Sequence, residues 1–200
     1  MIKAICFDLD GVYFTQESFL KFKKAIGINS TEEKTNFVFH KSEQISDFKK
    51  GLIGENDFWN FVRNELNLTL KNEEIFEILR DSYSVDENVK KTVEKVKELG
   101  LKACICTNNF ETRIRELDNK FNFLQDFEVK IISYEVGALK PDIKIFEELI
   151  KQAKVEPNEI IYSDEYIVSL EGANKLGINN FIFEGFDKFV IKIQEFGVTI

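Results

Sequence analysis

The 200-residue sequence contains only three cysteines and a single histidine, and both shortages limit the disulfides, metal sites and catalytic groups it can form. Cys6, Cys104 and Cys106 lie in apolar stretches typical of strands, which favours buried free thiols over disulfides. A C-x-C pair with no further cysteine or histidine nearby is also poor support for a zinc site. His40 lies in a segment predicted to be helical and has no obvious carboxylate partner, so we assign it no catalytic role.

The sequence also lacks long apolar runs and an excess of positive charge. No apolar run approaches the length of a membrane span, and Met1 leads straight into an apolar segment without the pattern of a signal peptide. The formal net charge of -8 would repel nucleic acid and anionic membrane surfaces. No GxGxxG phosphate loop is present, which removes nucleotide-cofactor folds that depend on one. We therefore expect a cytoplasmic protein that binds neither nucleic acid nor membrane.

The strongest pattern is the N-terminal segment Ile2 to Val12, IKAICFDLDGV. Its apolar run has no alternation, which predicts a buried parallel strand that ends at two carboxylates, Asp8 and Asp10, and a glycine. Ligands of open α/β sheets bind beyond the carboxyl ends of the strands, and side chains two apart on a strand point the same way. Because two carboxylates this close repel each other, a divalent cation is expected between them, the alternative being a pair of solvated loop residues.

The segment that follows has the apolar spacing of several short helices up to about residue 88. It is too long for an ordinary crossover between parallel strands, so residues 15–85 are predicted to form a lobe of their own. Residues 1–14 and 86–200 alternate strands and helices and are predicted to form the core. The breaks between the predicted helices fall at Gly27–Ser30, Gly51–Gly54 and Asn67–Asn72.

Polar side chains also follow three later strands. Thr107 and Asn108 end one apolar run, Lys140 lies between a glycine turn and a predicted helix, and Asp164 and Glu165 end a third apolar run. The carboxyl ends of parallel strands meet at one edge of a sheet, so these side chains are expected near Asp8. There the Lys140 ammonium would pair with the Asp8 carboxylate.

Two of these segments carry a family resemblance. FDLDGV and the pattern ExGxxKPDxxIFxxxL resemble the first and third motifs of the haloacid dehalogenase-like (HAD) hydrolase superfamily, and GLIGENDFWNFVRNELNL looks like the cap of members with a small helical bundle. The resemblance implies an α/β fold, with a Rossmann-like three-layer parallel-sheet core and an inserted all-helical cap. Asp10 makes the chain resemble the phosphatases of the superfamily, because the dehalogenases lack an acid at that place.

The resemblance also implies roles for individual residues. Asp8 would attack phosphorus and carry the phosphoryl group, and Asp10 would act as general acid and base. The phosphoryl oxygens would be held by Thr107, Asn108 and Lys140.

A Mg²⁺ site follows from the same resemblance, with one departure from the family pattern. Its ligands would be Asp8, the backbone carbonyl of Asp10, and an acid after the fourth strand. Counting along that strand favours Asp164, and counting back from the glycine after the next helix favours Glu165, so both are kept with Asp164 first. Ser169 stands where relatives have Asn or Asp, which weakens the support of the metal ligand.

The function implied is a Mg²⁺-dependent phosphohydrolase that cleaves a small phosphorylated metabolite through an aspartyl-phosphate. One alternative is a sugar-phosphate mutase of the same superfamily. The other is a catalytically retired member that binds a ligand or partner, for which the altered fourth motif is the only support. The protein is expected to be a monomer or a homodimer.

Overall fold

The computed structural model describes residues 1–28 and 30–200. Its centre is one sheet of five parallel strands in the order β3-β2-β1-β4-β5. The strands are β1 Ala4–Phe7, β2 Lys102–Thr107, β3 Val129–Ile132, β4 Ile160–Asp164 and β5 Asn179–Ile182. The first strand pairs with both β2 and β4 and is fully buried, as its unbroken apolar run predicts.

An all-helical segment is inserted between β1 and the helix that precedes β2. It contains α1 Glu17–Ala25, α2 Glu32–Asn36, a π-helical turn Phe37–Lys41, α3 Glu43–Lys49, α4 Glu55–Leu66 and α5 Asn72–Ser82. We call residues 17–82 the helical insertion. The predicted break at Gly27–Ser30 includes Asn29, which lies outside the described residues. The treatment of residues 15–85 as a separate domain stays a prediction.

The remaining helices cover the two faces of the sheet, which gives the three layers expected. They are α6 Glu87–Glu98, α7 Glu111–Phe121, α8 Ser133–Val136, α9 Ile143–Ala153, α10 Glu171–Lys175 and α11 Phe186–Glu195. Ile5 and Phe7 of β1 pack into the apolar cluster that includes α6, α7 and α11, whereas Ala4 and Cys6 pack into the cluster with α9 and α10. The three cysteines are buried and free, which confirms the interpretation of them as thiols.

The strand register brings the carboxyl ends of β1, β2 and β4 level with one another. Phe7 lies opposite Ile105 of β2 and Ser163 of β4, so Asp8, Cys106 and Asp164 come next on three adjacent strands. The Asp8 backbone N–H also donates to the Ser163 carbonyl at 3.2 Å. The sheet thus fixes Asp8 beside the fourth-strand acids. Among the described residues, no helix is long and apolar enough to cross a membrane.

Helix α10 approaches the segment before α9 closely at Gly172, where only a glycine fits. A Cβ there would lie 2.3 Å from the Pro141 carbonyl oxygen and 2.8 Å from the Phe146 ring. We expect Gly172→Ala to lower the free energy of unfolding by about 1–3 kcal/mol, because backbone or core atoms must move apart. Urea denaturation measures this, with Lys175→Ala on the exposed face of α10 as control. Equal stability of the two variants would refute the close approach.

Candidate active site

A cavity of about 340 Å³ lies between the carboxyl ends of the strands and the helical insertion. We call it the strand-end cavity. Six of the seven residues predicted for the site line it, namely Asp8, Asp10, Thr107, Asn108, Lys140 and Glu165. The seventh, Asp164, lies behind it. The helical insertion contributes the opposite wall, with Phe19, Leu20, Lys23, Phe39, His40 and Lys49.

Lys140 is the electrostatic centre of the site. Its Nζ lies 3.0 Å from Asp8 Oδ1 and 2.6 Å from Asp164 Oδ2, and it also donates to the Cys106 carbonyl at 3.0 Å. Burial alone would lower the pKa of Lys140, but the carboxylates of Asp8 and Asp164 outweigh it and raise that pKa above its usual range. The expected pairing of Lys140 with Asp8 is therefore present in the structure.

Asp8 is buried, and the groups around it shift its pKa in opposite directions. The pKa of Asp8 is raised to about 7, chiefly by burial and also by the nearby Asp164 and Asp10, against the opposing effect of Lys140. The Asp8 Oδ1 atom accepts from the Leu9 N–H at 2.8 Å and faces Lys140. Among residues 1–28 and 30–200, none donates a hydrogen bond to Asp8 Oδ2. One carboxylate oxygen is thus fixed and the other is free to meet a ligand.

The two acids at the end of β4, Asp164 and Glu165, have different surroundings. Asp164 is fully buried, and its oxygens accept hydrogen bonds from the Tyr166 N–H at 2.8 Å, from Lys140 and from the Tyr162 hydroxyl. Lys140 and these donors hold the pKa of Asp164 below its usual range against the effect of burial. Glu165 instead lines the strand-end cavity. Glu165 is therefore better placed than Asp164 to meet a bound ion, the reverse of the order that the strand pattern favoured.

Gly11 provides the space that the Glu165 carboxylate occupies. The Gly11 φ is +76°, which L side chains rarely adopt, and a Cβ on it would stand 2.1 Å from Glu165 Oε2. The turn after β1 thus needs glycine for its backbone conformation and for the close approach of this carboxylate.

Asp10 is held by an arginine that the sequence analysis did not identify. Arg113 Nη1 lies 2.5 Å from Asp10 Oδ2, and the Tyr83 hydroxyl donates to Asp10 Oδ1 at 3.2 Å. The guanidinium is buried over the rings of Phe110 and Phe19, at 4.7 Å and 4.9 Å from their centroids. A sequence signal did exist, because Arg113 lies in the first turn of α7, where the helix dipole disfavours a cation. A nearby anion would offset this unfavourable interaction.

The Asn108 side chain fastens two predicted motifs together. Its Nδ2 donates to the Lys140 carbonyl at 3.1 Å, and its Oδ1 accepts from the Lys140 N–H at 2.8 Å. This pair of hydrogen bonds holds the segment before α9 against the end of β2. The hydroxyl residue beside it, Thr107, is buried at the cavity wall.

The donor set fits a magnesium ion. Among the described residues, no group of three or more His, Cys, Asp or Glu side chains stands close enough together to hold a metal by itself. Mg²⁺ does not require such a group, because it keeps several waters and is usually bound by one or two carboxylates together with substrate phosphates. Asp8 and Glu165 supply two carboxylates and Asp10 a backbone carbonyl, all of them oxygen donors of the kind that Mg²⁺ prefers.

The helical wall of the cavity is positively charged. The pKa of His40 is lowered to about 4, chiefly by burial and then by the positive charges of Lys49, Lys23 and Arg113. The single histidine therefore lines the cavity as a neutral ring. Lys49 was not identified from the sequence, since nothing in its helical spacing separates it from the other lysines of α3 and its flanks.

Comparisons with known proteins agree with the fold and with the family resemblance. The model of the haloacid dehalogenase-like hydrolase family matches residues 2–164. An uncharacterised protein of Dictyostelium discoideum is 27% identical over 213 aligned residues, which cover 91% of each chain. A HAD family enzyme from Bacteroides thetaiotaomicron, solved with magnesium and inorganic phosphate, has a TM-score of 0.75 at 22% identity over 94% of this chain and 99% of that one. A HAD phosphatase from Thermococcus onnurineus has a TM-score of 0.66 at 25% identity, over 90% and 85% of the two chains.

The different surroundings of the two fourth-strand acids give a stability test. We expect Asp164→Asn to lower the free energy of unfolding by roughly 3 kcal/mol or more, because it leaves the buried Lys140 ammonium with one anionic partner fewer. Glu165→Gln should cost less than about 1 kcal/mol, since Glu165 pairs with no buried cation among the described residues. Urea denaturation of both variants measures the difference. A greater loss in Glu165→Gln would contradict the assignment of Asp164 as the internal partner of Lys140.

Proposed function

Because the chain belongs to the haloacid dehalogenase-like hydrolase family, we propose that it is a Mg²⁺-dependent phosphohydrolase acting on a small phosphorylated metabolite. The observation that carries the proposal is the convergence of Asp8, Asp10 and Lys140 on one cavity, with the Asp8 carboxylate 3.0 Å from the Lys140 ammonium. The likeness to a HAD phosphatase at 25% identity supports the phosphatase reaction. The magnesium and phosphate bound by the Bacteroides enzyme support the cofactor.

In this proposal Asp8 is the nucleophile. Its Oδ1 is held by Lys140 and the Leu9 N–H, which leaves Oδ2 to attack phosphorus in line and form the aspartyl-phosphate. The bond from phosphorus to the leaving oxygen breaks in this step, and water later cleaves the acyl phosphate to release inorganic phosphate. Because the attacking oxygen is held beside the phosphorus, the step is effectively intramolecular and has a high effective molarity.

Asp10 is the general acid and base of the proposal. It gives a proton to the leaving oxygen and later takes one from the attacking water. Arg113, Tyr83 and Asn109 each hydrogen-bond its carboxylate, so the side chain is held in one orientation towards the cavity. Arg113 is in this sense a positioning residue, and it acts through Asp10.

Charge on the phosphoryl oxygens is met from the sheet side of the cavity. Lys140 and the Thr107 hydroxyl face it, and fixed donors of this kind stabilise the transition state because they need no reorganisation. A Mg²⁺ held by Asp8, the Asp10 carbonyl and Glu165 would neutralise part of the charge shared by nucleophile and phosphate. Asn108 contributes mainly by holding the Lys140 segment in place.

The direct test is phosphate release from p-nitrophenyl phosphate with and without Mg²⁺. We expect Mg²⁺-dependent turnover that falls about a thousandfold or more in Asp8→Asn, because the amide cannot act as the nucleophile. Asp187→Asn, an exposed position on α11, is the matched control and should keep full activity. A folded, Mg²⁺-loaded wild type that releases no phosphate from this ester or from a panel of metabolites would refute the proposal and favour a mutase or a retired site.

The role of Glu165 in metal binding has its own test at Gly11. In Gly11→Ala the new Cβ forces the Glu165 carboxylate away, so we expect Mg²⁺ affinity to fall about tenfold or more. Gly100→Ala is the matched control, because Gly100 has a similar φ of +74° but has nothing within 4 Å of its Cβ position. Both variants should lose about 1 kcal/mol of stability from backbone strain. Calorimetric titration that gives equal Mg²⁺ affinity for the two would remove Glu165 from the metal site.

A further inference from the structure

Two lysines of the helical insertion face the strand-end cavity without an anionic partner. Lys23 of α1 and Lys49 of α3 line it, and no carboxylate among the described residues forms an ion pair with either. Unpaired lysines are not imposed by the composition, because the chain has 35 acidic residues against 27 lysines and arginines. On the same helix, Lys21 pairs with Glu17 at 3.2 Å. The two free ammonium groups therefore create a local positive wall in an acidic protein.

The backbone of Lys49 is held against the sheet edge that carries the proposed catalytic residues. Its backbone carbonyl accepts a 2.6 Å hydrogen bond from the hydroxyl of Ser133, a buried residue that directly follows β3. The C-terminal end of α3 is thereby tethered to the sheet edge. Lys23 lies over the Phe19 ring, 5.2 Å from its centroid, which holds its ammonium on the same side of the cavity.

Among the described residues, the part of the helical insertion that lines the cavity carries no carboxylate to balance its lysines. Burial, followed by the charge of Arg113, lowers the pKa of Lys49 to about 8, although the carboxylates of Asp10 and Asp8 act in the opposite direction. The depressed pKa of His40 has the same origin, with Lys49, Lys23 and Arg113 all acting on it after burial. An anion bound at this wall would offset the cost of keeping a cation in a desolvated place.

A single phosphoryl group does not account for these cations. Its oxygens are met on the sheet side by Lys140 and Thr107, and the charge of Arg113 is already matched by Asp10. The cavity of about 340 Å³ has room for a phosphate ester together with a short carbon chain. A second charged group on that chain would reach the helical wall.

From this juxtaposition, which rests on the proposed function, we infer that the substrate carries a second anionic group that Lys49 and Lys23 bind. Its chemistry is a carboxylate or a second phosphate a few bonds from the scissile ester. The two lysines are specificity-determining residues for this group, while Asp8, Asp10 and Lys140 act on the phosphoryl group.

The test compares substrates that differ only in the second group. The pairs are 3-phosphoglycerate with glycerol 3-phosphate, and 1,3-propanediol bisphosphate with its monophosphate, so the two arms separate carboxylate from phosphate. We expect kcat/KM to favour the doubly anionic member of at least one pair by about tenfold or more. Lys49→Gln should reduce that ratio about tenfold, and Lys23→Gln should reduce it by a smaller factor.

Two neighbouring lysines outside the cavity lining provide matched controls. Lys50→Gln and Lys24→Gln remove the same charge one residue away from Lys49 and Lys23, and neither should change the ratio. A Lys49→Gln variant that loses activity equally on both members of each pair would overturn the inference, because Lys49 would then act on the phosphoryl group. A wild type without preference in either pair would overturn it as well.

Binding separates a failure of this inference from a failure of the proposed function. Calorimetry on Asp8→Asn measures the affinity for both members of each pair in the absence of turnover. A preference for the doubly anionic compound that disappears when Lys49→Gln is added supports the second anion site, even if the wild type hydrolyses nothing. Equal affinities, or no measurable binding of any of the four compounds, would overturn it.

Discussion

The buried ammonium of Lys140 is the constraint on which the site depends. Its side chain is 2% exposed and needs anionic partners, which it finds in Asp8 at the end of β1 and Asp164 at the end of β4. The third contact, to the Cys106 carbonyl, ties it to β2. One cation thus joins three adjacent strands and the segment before α9. Removing a partner would leave a buried charge uncompensated, which folds tolerate poorly.

The buried Lys140 ammonium also gives two neighbouring acids, Asp164 and Glu165, different surroundings. Asp164 is occupied by Lys140, Tyr162 and the Tyr166 N–H, so it serves the framework. Glu165, one residue later, lies on the cavity side above Gly11, where its longer side chain has room because the turn carries no Cβ. Gly11 in the first motif therefore leaves the space that the longer side chain of Glu165 in the fourth motif occupies.

The strand-end cavity has two walls of different origin. The sheet supplies the groups assigned to chemistry, at positions fixed by strand register. The helical insertion supplies Lys23 and Lys49, whose positions depend on how α1 and α3 pack over the sheet edge. Arg113 contacts both walls, since it pairs with Asp10 on the sheet side and packs against Phe19 of the insertion. In the proposed function, this arrangement would separate the groups that carry out the reaction from those that select the substrate.

The sequence pattern predicted the parallel sheet, the inserted helices and seven site residues, six of which line the cavity. It could do so because strand ends are local features and parallel strands bring them to one edge. The pairing of Lys140 with Asp8 followed from the same rule. The different surroundings of Asp164 and Glu165 appear only in the tertiary structure, since consecutive side chains at a strand end point to different partners. The places of Lys49 and Arg113 at the cavity also depend on helix packing between distant segments. For Lys49 neither spacing nor composition gave a signal, and for Arg113 the only local one was its position in the first turn of α7.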